Sequence, residues 1–130
     1  MIFVDTGAWF ASVITSDPNH SAAQAWLNSN IAPLLTTDYV VDETLTLLRA
    51  RRHHTKARWL GERFFNSQLG AIYHLTEDDL RRAWETFRDF DDKEWSFTDC
   101  ASRVVIEKFN IAKAFAFDHH FRQLLTIGRA

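Results

Sequence analysis

Short apolar runs alternate along this chain with longer stretches whose apolar residues recur every three or four positions. The short runs, Ile2–Val4, Leu34–Thr37, Ala71–Leu75 and Ala114–Phe117, predict strands. The longer stretches predict helices. The first runs from Thr6 to about Ile14. A second opens at Asp17-Pro18, an N-cap followed by proline, and continues through Ala22, Ala25, Trp26 and Leu27. In DYVVDETLTLLRARR, Val40, Glu43 and Leu47 share one helical face. His53-His54-Thr55 predicts a break, with Thr55 capping a helix of Ala57, Leu60, Phe64 and Phe65 that Gly70 closes. Thr76-Glu77-Asp78-Asp79 is a strong helix start, leading to Leu80, Ala83, Trp84 and Phe87. DFDDKEWS predicts a loop, after which Ser96 or Thr98 caps a helix with Ala101, Val104, Val105 and Phe109. A short helix at His119–Gln123 and an apolar piece, Leu124–Ile127, complete the pattern.

Strands separated by helices indicate a parallel sheet with helices on both faces. The expectation is an α/β chain in three α/β/α layers, with a central, mostly parallel sheet of four to five strands. At 130 residues it is a single domain, residues 1–130, without repeats or a linker. An apolar share of 46% is enough for one core. No apolar stretch reaches the roughly 18 residues of a membrane helix. The start lacks the basic-then-apolar pattern of a secretory signal. A single cysteine, Cys100, leaves no internal disulfide, which fits a cytoplasmic location.

The formal net charge of -2 hides two opposed segments. Arg49, Arg51, Arg52, Lys56, Arg58 and Arg63 stand against Glu62 alone. Between Glu77 and Asp99 the balance reverses, with Asp78, Asp79, Asp89, Asp91 and Asp92. Either segment can be a solvated helix face.

Ligands of parallel sheets bind at the carboxyl ends of the strands, and acids recur there. Asp5 follows Ile2–Val4 as Asp118 follows Ala114–Phe117. Asp99 lies in the first turn of its helix. Glu43 lies about two turns beyond the second strand, on the apolar side of its helix. Each has an ordinary alternative. Asp5 and Asp118 can be N-caps, Asp99 a first-turn acid, and Glu43 the partner of an internal arginine. Asp42, aligned with Thr46 and Arg49, reads as a surface ion pair. Together, the acids would repel one another at one sheet edge unless a divalent cation lay among them. Oxygen-only ligands suit magnesium or manganese rather than zinc.

Other chemistries find little support. The pairs His53-His54 and His119-His120 diverge as neighbours do, and no cysteine–histidine zinc spacing occurs. Cys100 reads as a packed small residue rather than a nucleophile. The four glycines form no phosphate loop.

The motifs VDTGAWF, Glu43 on a helix after a strand, SFTDCAS and FAFDHHF together resemble the PIN-domain ribonucleases. Within them the chain is most similar to the VapC-type toxins of bacterial and archaeal toxin–antitoxin pairs. The resemblance implies a PIN-like fold and a Mg2+- or Mn2+-dependent endoribonuclease. Its catalytic and metal-binding acids carry over as Asp5, Glu43, Asp99 and Asp118, with supporting hydroxyls at Thr6 and Thr98 and a weaker one at Ser96. It also implies an RNA substrate, a VapB-type antitoxin partner and a homodimer. One departure is Ala116, where many relatives have threonine two residues before the last acid.

An acidic site repels RNA, so the basic stretch Arg49, Arg51, Arg52, Lys56 and Arg58 gains a role in holding phosphates. Of the five tryptophans, Trp26, Trp59 and Trp84 have helical apolar neighbours and are expected in the core. Trp9 and Trp95, beside the motifs, are the candidates for base stacking. Two further readings compete: a non-catalytic PIN-like module that binds RNA or protein, and a phosphatase with Asp5 as nucleophile. Gly7, where such phosphatases place a second aspartate, counts against the latter.

Overall fold

The structure is a computed structural model that describes residues 1–117 and the short strand Thr126–Ile127. The elements follow in the order β1 (Ile2–Val4), α1 (Thr6–Val13), α2 (His20–Ser29), β2 (Leu34–Thr37), α3 (Asp38–Ala50) and α4 (His54–Phe65). Then come β3 (Ala71–Tyr73), α5 (Glu77–Asp89), α6 (Phe97–Lys108), β4 (Lys113–Phe115) and β5 (Thr126–Ile127). All strand pairs are parallel, in the order β3-β2-β1-β4-β5. Helices flank this sheet and bury its inner strands, including the polar Thr36 and Thr37 of β2. Phe3, Val4, Ala114 and Phe115 are fully buried. None of the described helices is long and apolar enough to cross a membrane.

The main core joins the sheet to α1, α3 and α4 through Trp9, Leu48, Leu60 and Phe64. Trp9 meets Phe64 edge-on, with centroids 5.1 Å apart, and Trp26 stacks on Phe115 at 4.1 Å. A second, smaller core lies between α5 and α6, built from Ala83, Trp95, Cys100, Ala101 and Val104. The sequence expectation for the tryptophans is thus partly reversed. Trp9 and Trp95 are buried, whereas Trp59 and Trp84 are 44% and 51% exposed. Helical periodicity identifies one face of a helix but not whether another element covers it.

Three boundaries also differ from expectation. Asp17 accepts the Asn19 N–H at 2.8 Å, closing a local turn, so α2 starts only at His20. No side-chain cap opens α4, which begins at His54 after Arg52 turns the chain with a φ of 64°. Gly70 does not end α4. It stands before β3 with a φ of 129°, where an added Cβ would come within 2.4 Å of the Leu34 carbonyl oxygen. Only glycine fits that approach. Ser96, not Thr98, caps α6. The helix expected at His119–Gln123 lies outside the described residues.

Candidate active site

Asp5 occupies the N-cap position of α1, yet its side chain makes no capping hydrogen bond. It is 4% exposed. Its backbone is held from both sides: the N–H donates to the Phe115 carbonyl at 3.1 Å, and the carbonyl accepts from Ala8 and Trp9. The first bond fastens the end of β1 to the end of β4. The next residue, Thr6, is 6% exposed, and its hydroxyl finds no hydrogen-bond partner among the described residues. Behind this pair, Trp9 Nε1 donates to Thr36 Oγ1 at 3.3 Å, and Thr36 Oγ1 donates to the Val4 carbonyl at 3.4 Å. A carboxylate at a strand end is thereby set on a rigid floor.

Glu43 is half-buried on α3, beside the buried Val40 and Thr44. The helix starts where β2 ends, with the Thr37 hydroxyl accepting the Val40 N–H at 3.1 Å. Asp42, Thr46 and Arg49 are exposed, but among the described residues Asp42 forms no ion pair with Arg49. Asp99 performs the ordinary duty open to a first-turn acid. It forms a capping box in which Ser96 Oγ accepts the Asp99 N–H and Asp99 Oδ2 accepts the Ser96 N–H, both at 3.0 Å. The carboxylate is half-buried, as is Thr98. The starts of α3 and α6 meet through Tyr39 and Phe97, whose ring centroids are 6.1 Å apart. Parallel strands bring the ends of β1, β2 and β4 to one edge of the sheet. The starts of α1 and α3 lie there, and the Tyr39–Phe97 contact ties α6 to it. Asp118, three residues past β4, lies outside the described residues. Among the described residues, no three His, Cys, Asp or Glu side chains are grouped to hold a metal ion by themselves.

Cys100 is buried within the α5–α6 core, and burial, aided by the Asp99 charge, pushes its thiol above the usual range. That suits packing, not nucleophilic attack. Arg49, Arg51, Arg52, Lys56 and Arg58 are all exposed. Arg49 and Arg58 line one groove of about 510 Å³ between α3 and α4, floored by Leu45, Ala50 and Ala57.

Asp79 departs from the solvated acidic face suggested by its neighbours. It is 1% exposed and takes hydrogen bonds from Tyr73 Oη, the Thr76 N–H at 3.0 Å and Lys108 Nζ at 3.1 Å. Lys108 Nζ also donates to Tyr73 Oη at 2.7 Å. Burial alone would raise the carboxyl's pKa. The bonds from Tyr73, Thr76 and Lys108 outweigh it and carry the value down to about 2. The sequence signal was the capping box, Thr76 with Asp79 three residues on. The pairing with Lys108, 29 positions away, had none.

A family model described as the PIN domain matches residues 2–124. The chain belongs to the PIN-domain family. It is similar to the 23S rRNA-specific endonuclease VapC20 of Mycobacterium tuberculosis, 36% identical over 121 residues that cover 93% of this chain and 92% of that protein. It is also similar to a VapC ribonuclease of Archaeoglobus fulgidus, 31% identical over 97% of this chain and 81% of the relative. Among solved structures, the crystal structure of M. tuberculosis VapC20, a sarcin-ricin loop cleaving toxin, matches with a TM-score of 0.92 at 32% identity over the full length of both chains. FitAcB from Neisseria gonorrhoeae matches with a TM-score of 0.68 at 20% identity, over 98% of this chain and 96% of that one, a likeness of fold.

PIN-domain nucleases generally work with divalent metals. The chemistry of the described residues fits one: a buried carboxylate that its own helix does not use, a buried hydroxyl left without a bond beside it, and oxygen donors throughout.

Proposed function

We infer that this PIN domain is an endoribonuclease that hydrolyses RNA phosphodiester bonds with a bound Mg2+ or Mn2+. Asp5, Glu43, Asp99 and Asp118 are the residues that would hold the cation. When bound, it supplies an acidified water and neutralises charge on the scissile phosphate. The observation that most supports this reading is the placement of Asp5: it is buried at the carboxyl end of β1, on the sheet edge where α1 and α3 begin and to which the Tyr39–Phe97 contact ties the start of α6.

The chain's own residues have separable duties. The Asp5–Phe115 backbone bond fixes where the Asp5 carboxylate stands. The Ser96 N–H orients the carboxylate of Asp99 through Oδ2, the same bond that caps α6. The Thr6 hydroxyl has a hydrogen to donate to a neighbouring oxygen, whether carboxylate or substrate. Thr98 is assigned the same supporting role. Arg49, Arg51, Arg52, Lys56 and Arg58 hold backbone phosphates that the acids alone would repel.

By the same reading the protein acts as the toxin of a toxin–antitoxin pair, as a homodimer inhibited by a VapB-type antitoxin. The named substrate of the M. tuberculosis relative makes 23S rRNA the first RNA to test. Cleavage of ribosomal RNA is measured with Mg2+, with Mn2+ and with chelator, and the cut ends are mapped. Discrete cuts that require metal support the reading. An intact pool under all three conditions rejects it.

A further inference from the structure

Trp59 was expected in the core and stands instead at the surface of α4, 44% exposed. Its ring is held in place. The Arg63 guanidinium lies 3.8 Å from the ring centroid, and Arg63 Nη1 donates to the Trp59 carbonyl at 3.0 Å. The indole also lines a groove of about 390 Å³ between α4 and the α1–α2 connection. That volume falls within the range of small-ligand pockets. Lys56 borders the groove one turn before Trp59, and Ser12, Thr15, His20 and Gln24 form the facing wall.

The facing wall is preset. Gln24 Nε2 donates to the Ser12 carbonyl, and His20 Nδ1 pairs with the Ala11 carbonyl at 2.8 Å. In a neutral ring that pairing makes Nδ1 the donor and leaves Nε2 as an acceptor. An acceptor beside a lysine and an aromatic face matches the parts of a nucleotide: an amino group or ribose hydroxyl, a phosphate and a base.

Charge separates this aromatic residue from the other exposed tryptophan. Around Trp59 the chain presents Arg51, Arg52, Lys56, Arg58 and Arg63 against Glu62. Around Trp84, α5 carries Glu77, Asp78, Asp79, Glu85 and Asp89 against Arg81, Arg82 and Arg88, and these arginines are engaged in ion pairs with Glu77, Asp78 and Asp89. Polyanionic RNA is drawn to the first, whereas the second has an acidic excess and arginines already paired to its acids. We propose that the α4 groove is a nucleobase-binding subsite for the RNA substrate, in which a splayed base stacks on Trp59 while Lys56 holds its phosphate. This rests on the ribonuclease reading and adds to it a site of recognition away from the carboxylates.

The test is equilibrium binding of a short, fluorescein-labelled single-stranded RNA of mixed sequence, with chelator present so that no strand is cut. Trp59→Ala weakens binding about 5- to 150-fold, the range that loss of one stacked base produces. Trp59→Phe, which keeps an aromatic face, retains most of the affinity, and Trp84→Ala leaves it unchanged. Circular dichroism confirms that each variant is folded. If wild-type protein cuts RNA in metal and Trp59→Ala binds as tightly as wild type, the subsite is wrong and the ribonuclease reading stands. If wild type neither binds nor cuts RNA, both fall.

Discussion

The Asp5 N–H donates to the Phe115 carbonyl across 3.1 Å, joining the ends of the neighbouring strands β1 and β4 at the point where the first acid emerges. Asp99 is held differently, by a capping box with Ser96. The two acids therefore answer differently to the ordinary explanation available for each. The helix dipole and a cap account for an acid at Asp99 whatever else it does. The Asp5 carboxylate, by contrast, does not cap α1 and is buried where β1 ends. Beside it, the Thr6 hydroxyl is buried and has no hydrogen-bond partner among the described residues.

That hydroxyl gives a clean test. Thr6 is buried with no hydrogen-bond partner among the described residues, an arrangement that costs about 1–3 kcal/mol. Thr6→Val keeps the shape and removes the unmet polar atom. Thermal unfolding without metal should show equal or greater stability, while RNA cleavage falls. A variant that cleaves like wild type would remove Thr6 from the site. A clear loss of stability would mean that the hydroxyl is bonded after all.

The Tyr73–Asp79–Lys108 cluster gives a test of the fold instead. It ties β3 to the α5–α6 pair through one buried carboxylate. Asp79 has a folded pKa of about 2 against an ordinary 3.8. Its contribution is therefore fully present above the ordinary value and disappears as pH falls through the folded one. That difference corresponds to about 2 kcal/mol at neutral pH. Denaturant titrations of wild type and Asp79→Asn should differ by about that amount near about pH 6, the gap closing as pH falls from about 4 toward 2. A gap that does not change with pH would show that the carboxylate's charge is not what stabilises the fold.

Much of this architecture was legible in the sequence. The strands at Ile2–Val4 and Leu34–Thr37 appear as read: the first is an apolar run, and the second joins two leucines to two β-branched threonines, residues that suit a buried strand. The caps at Thr76 and Ser96 were legible because a capping box lies within four residues. Features set by long-range packing were not. Trp59 and Trp84 have the spacing of core residues, yet no element among the described residues covers them. Asp79 looked like one more surface acid until Lys108 closed over it. Gly70 was read as a helix end, although its role is the close approach to the Leu34 carbonyl from another element. The proposed site acids were chosen by their places at strand ends and helix starts and by family resemblance, both of which can be read in a linear sequence.

Binding of Mn2+ followed by electron paramagnetic resonance of the free ion tests the central claim without depending on any RNA. Wild-type protein should take up Mn2+, Asp5→Asn and Asp99→Asn should each bind at least about tenfold more weakly, and Asp92→Asn, in the exposed loop before α6, should match wild type. Uptake by Asp5→Asn and Asp99→Asn as tight as that of wild type would contradict a cation site at this edge of the sheet.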